Sequence, residues 1–87
     1  MKFNDLYVSR DDMFSLGVEE TTGRFYTSIP VSNAMVNYEE YYEIDHPTFD
    51  RFQKNLEQAL AFVTLCRQKK VDDLLMVQPG GNRGTGI

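Results

Sequence analysis

Apolar side chains recur at every second position from Met13 to Ile44, and at every third or fourth position after His46-Pro47. A strand sends alternate residues to opposite faces, whereas a helix gathers residues three and four apart onto one stripe. The change of period therefore divides the chain into a sheet followed by a helix. The boundary falls in the run Asn37-Tyr38-Glu39-Glu40-Tyr41-Tyr42-Glu43-Ile44-Asp45, which also carries the chain's least ordinary chemistry.

Phe14, Leu16 and Val18 share one face of a first strand, with Ser15, Gly17 and Glu19 on the other. Thr21-Thr22-Gly23 has turn chemistry. Arg24 to Val31 alternates again: Phe25, Thr27, Ile29 and Val31 face one way, Arg24, Tyr26, Ser28 and Pro30 the other. Pro30 lacks an N–H, so the strand ends there or has an unpaired flank at that point. Ser32-Asn33 is a second turn, and a third strand runs from about Val36 to Ile44. Short connections between alternating segments predict an antiparallel meander.

Matching the apolar faces pairs Val18 with Phe25 and Leu16 with Thr27, which sets Glu19 opposite Arg24 and Gly17 opposite Tyr26. In the second hairpin the same rule pairs Phe25 with Tyr42 and Ile29 with Tyr38. Arg24 then stands opposite Glu43, and Tyr26 opposite Tyr41. Residues 1–10, with Phe3, Leu6, Tyr7 and Val8, read as an edge strand or an ordered arm.

Pro47 suits the first turn of a helix, where its missing N–H is harmless. Asp45, His46 or Thr48 supplies the cap. Phe49, Phe52, Leu56, Ala59, Leu60 and Val63 form an amphipathic stripe that Phe62, Leu65 and Cys66 widen. The spacing of Asn55 and Gln58 matches a capping box and allows a break there. One continuous or kinked helix from Pro47 to Lys69 is the expectation. Arg67, Lys69 and Lys70 lie at its end, where cations complement the helix dipole. The apolar run Leu74 to Val77 predicts a fourth, buried strand. The expected fold is thus α+β, with topology β-β-β-α-β: a three-stranded antiparallel meander covered on one face by a long helix, completed by a C-terminal strand. Residues 1–78 form this single domain, and the glycine-rich residues 79–87 a flexible tail too poor in apolar surface to offset its ordering entropy.

A chain of 87 residues makes one domain with a small core. Its formal net charge is -4, unevenly spread: residues 1–57 carry 11 acids against 5 bases, and residues 58–87 carry 2 acids against 4 bases. The only basic cluster is Arg67, Lys69 and Lys70, which argues against nucleic acid. A basic protein is the natural electrostatic partner, beside the plainer role of an acidic surface in solubility. The single cysteine, Cys66, is expected buried and reduced. No signal peptide opens the chain and no apolar run reaches membrane length, so no membrane partner and a cytoplasmic setting are expected.

Strict alternation turns Glu40 inward with Val36, Tyr38, Tyr42 and Ile44. A buried carboxylate is costly unless paired, and burial favours its neutral form. One consequence is a small acid/base or ligand pocket made of Tyr38, Glu40 and Tyr42. The plainer alternatives are a β-bulge that puts both Glu39 and Glu40 outside, or a wet sheet end where Glu40 accepts a hydrogen bond from the Thr27 hydroxyl. His46 and Cys66 could make a nucleophile pair only between subunits or if the helix folds back at Asn55, because a continuous helix would separate them by about 28 Å. One His and one Cys are too few for structural zinc, so neither metal nor cofactor is expected. The glycine-rich tail has no following helix and so makes no phosphate loop.

The outer face of the meander offers an aromatic patch with a charged rim: Arg24, Tyr26, Glu39, Tyr41 and Glu43. Tyrosine is favoured at interfaces for its apolar area and polar tip. The leading expectation is a non-catalytic protein–protein interaction module. It would bind itself as a homodimer, or a basic partner as an inhibitor or immunity-type protein does. The competing one is a small acid/base enzyme or ligand-binding domain around Glu40. The balance leans against an enzyme.

Overall fold

The computed structural model describes residues 1–33, 35–79 and 83–87. The alternating region forms an antiparallel sheet whose strands β1 (Phe3–Ser9), β2 (Phe14–Glu19), β3 (Arg24–Ser32) and β4 (Asn37–Ile44) lie side by side in chain order. Helices α1 (His46–Lys54) and α2 (Leu56–Arg67) cover one face. A 3-10 turn (Asp72–Leu74) and a short strand β5 (Thr85–Gly86) complete the α+β fold.

The first hairpin has the register that face-matching predicts: Val18 pairs with Phe25, Leu16 with Thr27, Gly17 with Tyr26 and Glu19 with Arg24. The second is displaced by two residues. Phe25 pairs with Ile44, Ile29 with Glu40 and Val31 with Tyr38. A slip of two preserves which face each side chain occupies, so face-matching does not discriminate between these registers. The loop does. Asn33 Oδ1 accepts from the N–H groups of Met35 and Val36, both at 2.8 Å, and Asn33 N donates to Val36 O at 3.0 Å. This Asn-nucleated turn consumes more chain than the tight turn the predicted register requires. The expected neighbours still meet diagonally: Arg24 Nη1 reaches Glu43 Oε1 at 3.3 Å, and the Tyr26 and Tyr41 rings lie edge to face at 4.9 Å.

The inner face carries the main core. Phe14, Leu16, Ile29, Val31, Tyr42 and Ile44 pack beneath Phe49 and Phe52 of α1 and Ala59, Val63 and Cys66 of α2. Two helices replace the single one expected. Asp45 caps α1 by accepting from Thr48 N, and Pro47 occupies its first turn. Asn55 is extended, with φ -135° and ψ 95°, so it ends α1 and caps α2 by accepting from Gln58 N. An internal N-cap outweighs the modest cost of one interrupted turn. The break also re-phases the stripe. Leu56, assigned to the core on continuous periodicity, is 44% exposed, and Leu60 is only partly buried.

The run expected to be a fourth strand, Leu74 to Val77, is instead the end of the 3-10 turn and a single bridge. Leu75 pairs with Tyr42, and Met76 N donates to Tyr41 O at 2.8 Å. This caps part of the β4 edge without extending the sheet. Nor are residues 83–87 a free tail. β5 pairs Thr85 with Ser32 and Gly86 with Val31, and Ile87 N donates to Pro30 O at 3.1 Å. They use the stretch of β3 beyond β2's last partner, Ser28. Residues 80–82 lie outside the described residues. Backbone hydrogen bonds and the ion pairs of Arg83, rather than apolar burial, hold the segment.

The outer face is not open either. Phe3 stacks on Tyr41 at 3.6 Å and meets the edge of Tyr26 at 5.5 Å. In a flat sheet β1 and β4 would stand about 14 Å apart, so the sheet curls to bring them together. Gly17 permits the curl. A Cβ there would strike Asn4 O and would lie 2.5 Å from the Tyr26 hydroxyl. The cost of the unpaired N-terminal edge is reduced by a bulge between Asp5 and Tyr7.

Candidate functional site

Glu40 points inward, as alternation requires, and is 6% exposed. Pairing with β3 runs without interruption through Glu39 and Glu40, so the bulge considered for this position is absent. Its neighbours at i-2 and i+2 serve it directly. Tyr42 donates to Oε1 at 2.9 Å, and the Tyr38 hydroxyl lies 3.5 Å from Oε2. The hydrogen bond to Thr27 does not form: Thr27 Oγ1 is buried without a partner among the described residues.

The space expected to be a pocket is filled by Arg83. Its Nε donates to Glu40 Oε2 at 2.9 Å and its Nη2 to Oε1 at 3.0 Å. The other side of the same guanidinium grips Asp72, with Nη1 on Oδ2 at 2.6 Å and Nη2 on Oδ1 at 2.9 Å. One planar fork therefore serves two carboxylates, an arrangement that lysine cannot reproduce. The hydrogen bonds of Arg83 hold the Asp72 carboxyl below its ordinary range. Burial and the Glu40 hydrogen bond push the Tyr42 hydroxyl far above its own, so it remains a donor. Gly84 N donates to the Tyr38 hydroxyl at 2.8 Å, which links the tail backbone to the same cluster. All three residues of the expected pocket, Tyr38, Glu40 and Tyr42, are brought together. The cation that joins them was not anticipated. The available signal was electrostatic: an inward carboxylate needs a cation, and Arg83 is an isolated arginine in a tail otherwise without charge.

The five residues of the expected interaction surface do not form one open patch. Tyr26 is fully buried, contrary to its expected exposure, because Phe3 and the curl of β1 cover it. Its hydroxyl donates to Asp5 Oδ1 at 2.6 Å. Tyr41 is half-buried under Phe3. Glu39 remains exposed, Arg24 is exposed and Glu43 is partly so. Arg24 and Glu43 form a solvent-facing ion pair, worth at most about 1 kcal/mol.

Asp5 joins Glu39 on this face. Desolvation by neighbouring protein atoms, reinforced by the charge of Asp5, raises the Glu39 carboxyl above its usual range although its side chain reaches water. Among the described residues neither Asp5 nor Glu39 has a cation at ion-pair distance. Beside Glu39 lies a groove of about 220 Å³ whose apolar walls include Val8, Phe14 and Pro30. A second, more polar groove of about 530 Å³ runs between β4 and the 3-10 turn, with Glu43, Asp45 and Asp73 on its sides.

Glu19 is a structural carboxylate. Its oxygens accept from Lys2 N at 2.7 Å, Thr21 N and Thr22 N at 2.9 Å, and the Thr22 hydroxyl at 2.7 Å. The bond from Lys2 N is the largest of the influences that bring its pKa down to about 2. His46 stacks on Phe25 at 4.7 Å and lies 3.5 Å from Asp50. Cys66 is on the buried face of α2, its thiol pushed up to about 12 by burial. Among the described residues no group of three or more His, Cys, Asp or Glu is placed to hold a metal, and no helix is long and apolar enough to cross a membrane.

The chain matches no protein-family model, and comparison with curated proteins and with solved structures likewise gives no match.

Proposed function

We propose that the protein is a non-catalytic interaction module that binds a basic protein partner through the outer face of its sheet. Asp5, Glu39 and Glu43 supply the charge, and the exposed flank of Tyr41 with the apolar groove beside Glu39 supplies the contact area. The observation that carries this reading is the pair Asp5 and Glu39: two like charges on one face, Glu39 partly desolvated, with no cation at ion-pair distance from either among the described residues. A lysine or arginine from a partner relieves that repulsion, and complementary charge favours both encounter and register. The cluster around Glu40 supports a binding role over a catalytic one, because its carboxylate is already held by two hydrogen bonds from Arg83. A reduced, cytoplasmic setting agrees with the single buried thiol of Cys66.

The test is co-purification from the native host with wild-type chain and with a Glu39→Lys/Glu43→Lys double variant, alongside circular dichroism of both. A basic protein retained by the wild type and lost from the folded double variant is the expected result. Equal retention by both excludes this face. Light scattering across a concentration series separates a heterologous partner from self-association.

A further inference from the structure

Residues 83–87 dock on the body of the fold much as a separate peptide would. They add a short strand to the free stretch of β3 at residues 31 and 32, and seat an arginine between two carboxylates. The receptor is built almost entirely by the rest of the chain. Glu40, Tyr38 and Tyr42 stand on one face of β4, and Asp72 is fixed by the 3-10 turn. Within the segment, Thr85 and Ile87 are exposed and only Gly84 is buried.

Recognition is nevertheless specific. The guanidinium makes four hydrogen bonds to the two carboxylates. The next residue must be glycine, since a Cβ on Gly84 would collide with Ser32 O and would lie 2.8 Å from Asn33 N. A Cβ on Gly86 would come within 3.0 Å of Arg67 Cγ. Backbone pairing holds the strand, and one cleft on the body selects the arginine side chain, as in other cases of strand addition.

We propose that the cleft formed by Tyr38, Glu40, Tyr42, Asp72 and the residue 30–32 edge of β3 is a receptor for an extended segment of a basic protein partner that presents an arginine followed by glycine, with residues 83–87 as its internal stand-in. The choice of a basic partner rests on the function proposed above, and the charge of the site agrees with it. Glu40 makes the cleft intolerant of vacancy: a carboxylate this buried is strongly penalised without a cation. The site therefore changes occupant more readily than it empties. A tethered segment competes at an effective concentration on the order of millimolar, so a partner must add contacts beyond the five docked residues. The acidic outer face provides them.

The probe is the acetylated, amidated peptide Arg-Gly-Thr-Gly-Ile, titrated by calorimetry and amide NMR into the full chain carrying Arg83→Ala, which weakens the internal competitor. Binding at least tenfold tighter than to the wild type, with shifts at Tyr38, Glu40 and Tyr42, is expected. A peptide with lysine for arginine should bind at least tenfold more weakly, and Glu40→Gln/Arg83→Ala should abolish binding. If the Arg83→Ala chain is unfolded alone, recovery of its circular dichroism on adding the peptide supports the proposal, and no recovery overturns it. Absence of binding to a folded Arg83→Ala chain, or binding that survives loss of Glu40, also overturns it. A wild-type dimer that disappears with Arg83→Ala would make a second copy the occupant and overturn the assignment to a basic partner. Glu39→Lys/Glu43→Lys leaves the cleft intact. Peptide binding without partner capture by the outer face, or the reverse, therefore separates failure of one proposal from failure of the other.

Discussion

Arg83 reaches back 43 positions to grip Glu40 with two hydrogen bonds, of 2.9 and 3.0 Å. An otherwise unfavourable inward carboxylate thereby becomes the anchor of the C-terminal segment. Removing Arg83 leaves Glu40 uncompensated, whereas removing Glu40 leaves Arg83 still paired with Asp72. Arg83→Ala should destabilise the fold by about 2–4 kcal/mol, below the full value for a deeply buried pair because Arg83 retains some solvent contact. Asp72→Asn, at a more exposed carboxylate, should cost about 1 kcal/mol or less. Urea denaturation of the two variants measures both, and equal losses would contradict the ranking.

Gly17 lies where the Tyr26 ring crosses β2 toward Asp5. Gly17→Ala should cost about 1–3 kcal/mol, since the added methyl meets the Asn4 carbonyl and the Tyr26 hydroxyl together. Near-ultraviolet circular dichroism should show the aromatic cluster loosened. An unchanged spectrum and denaturation midpoint would mean that the curled edge adapts freely.

Glu19 makes stability depend on acid. Its folded pKa of about 2 lies below the ordinary glutamate value of 4.5, so the native state favours the charged form. That contribution is fully present above about pH 4.5 and is lost as pH falls toward about 2. Urea midpoints measured through this window should decline for the wild type, and the decline should flatten in Glu19→Gln. The variant should also be less stable at pH 7, where the wild-type carboxylate is charged.

Thr27 Oγ1 is buried with no partner among the described residues. Thr27→Val keeps the shape and removes the unmatched hydroxyl, so a gain of about 1 kcal/mol is expected. A loss on thermal denaturation would reveal a hydrogen bond of this hydroxyl.

The break at Asn55 separates two apolar side chains of the same sequence stripe. Phe52→Ala should cost about 3–5 kcal/mol, whereas Leu56→Ala, at an exposed position, should change stability by less than about 0.5 kcal/mol. Comparable losses would restore a continuous helix with Leu56 in the core.

The faces and strand character of residues 14–44, the helical region after Pro47 and one register were legible in the residues themselves. Period two sorted Leu16, Ile29 and Tyr42 from Gly17 and Ser28, because the direction of a side chain on a strand is a local property of the backbone. It also turned Glu40 inward and gathered Tyr38 and Tyr42 around it. Pro47 placed the start of α1 for an equally local reason, the unsatisfied N–H groups of a helix's first turn, while the choice of Asp45 over His46 or Thr48 as its cap came from the structure.

Only the tertiary structure decided the rest. A two-residue slip keeps every face, so the β3–β4 register awaited the turn at Asn33. The curl that buries Tyr26 under Phe3 couples strands that are not neighbours, and alternation within a strand carries no record of it. Glu40 announced a need for a cation without saying which one. A charge can be met from any distance along the chain, and folding brought Arg83 and Asp72 to it from a segment whose composition reads as a tail.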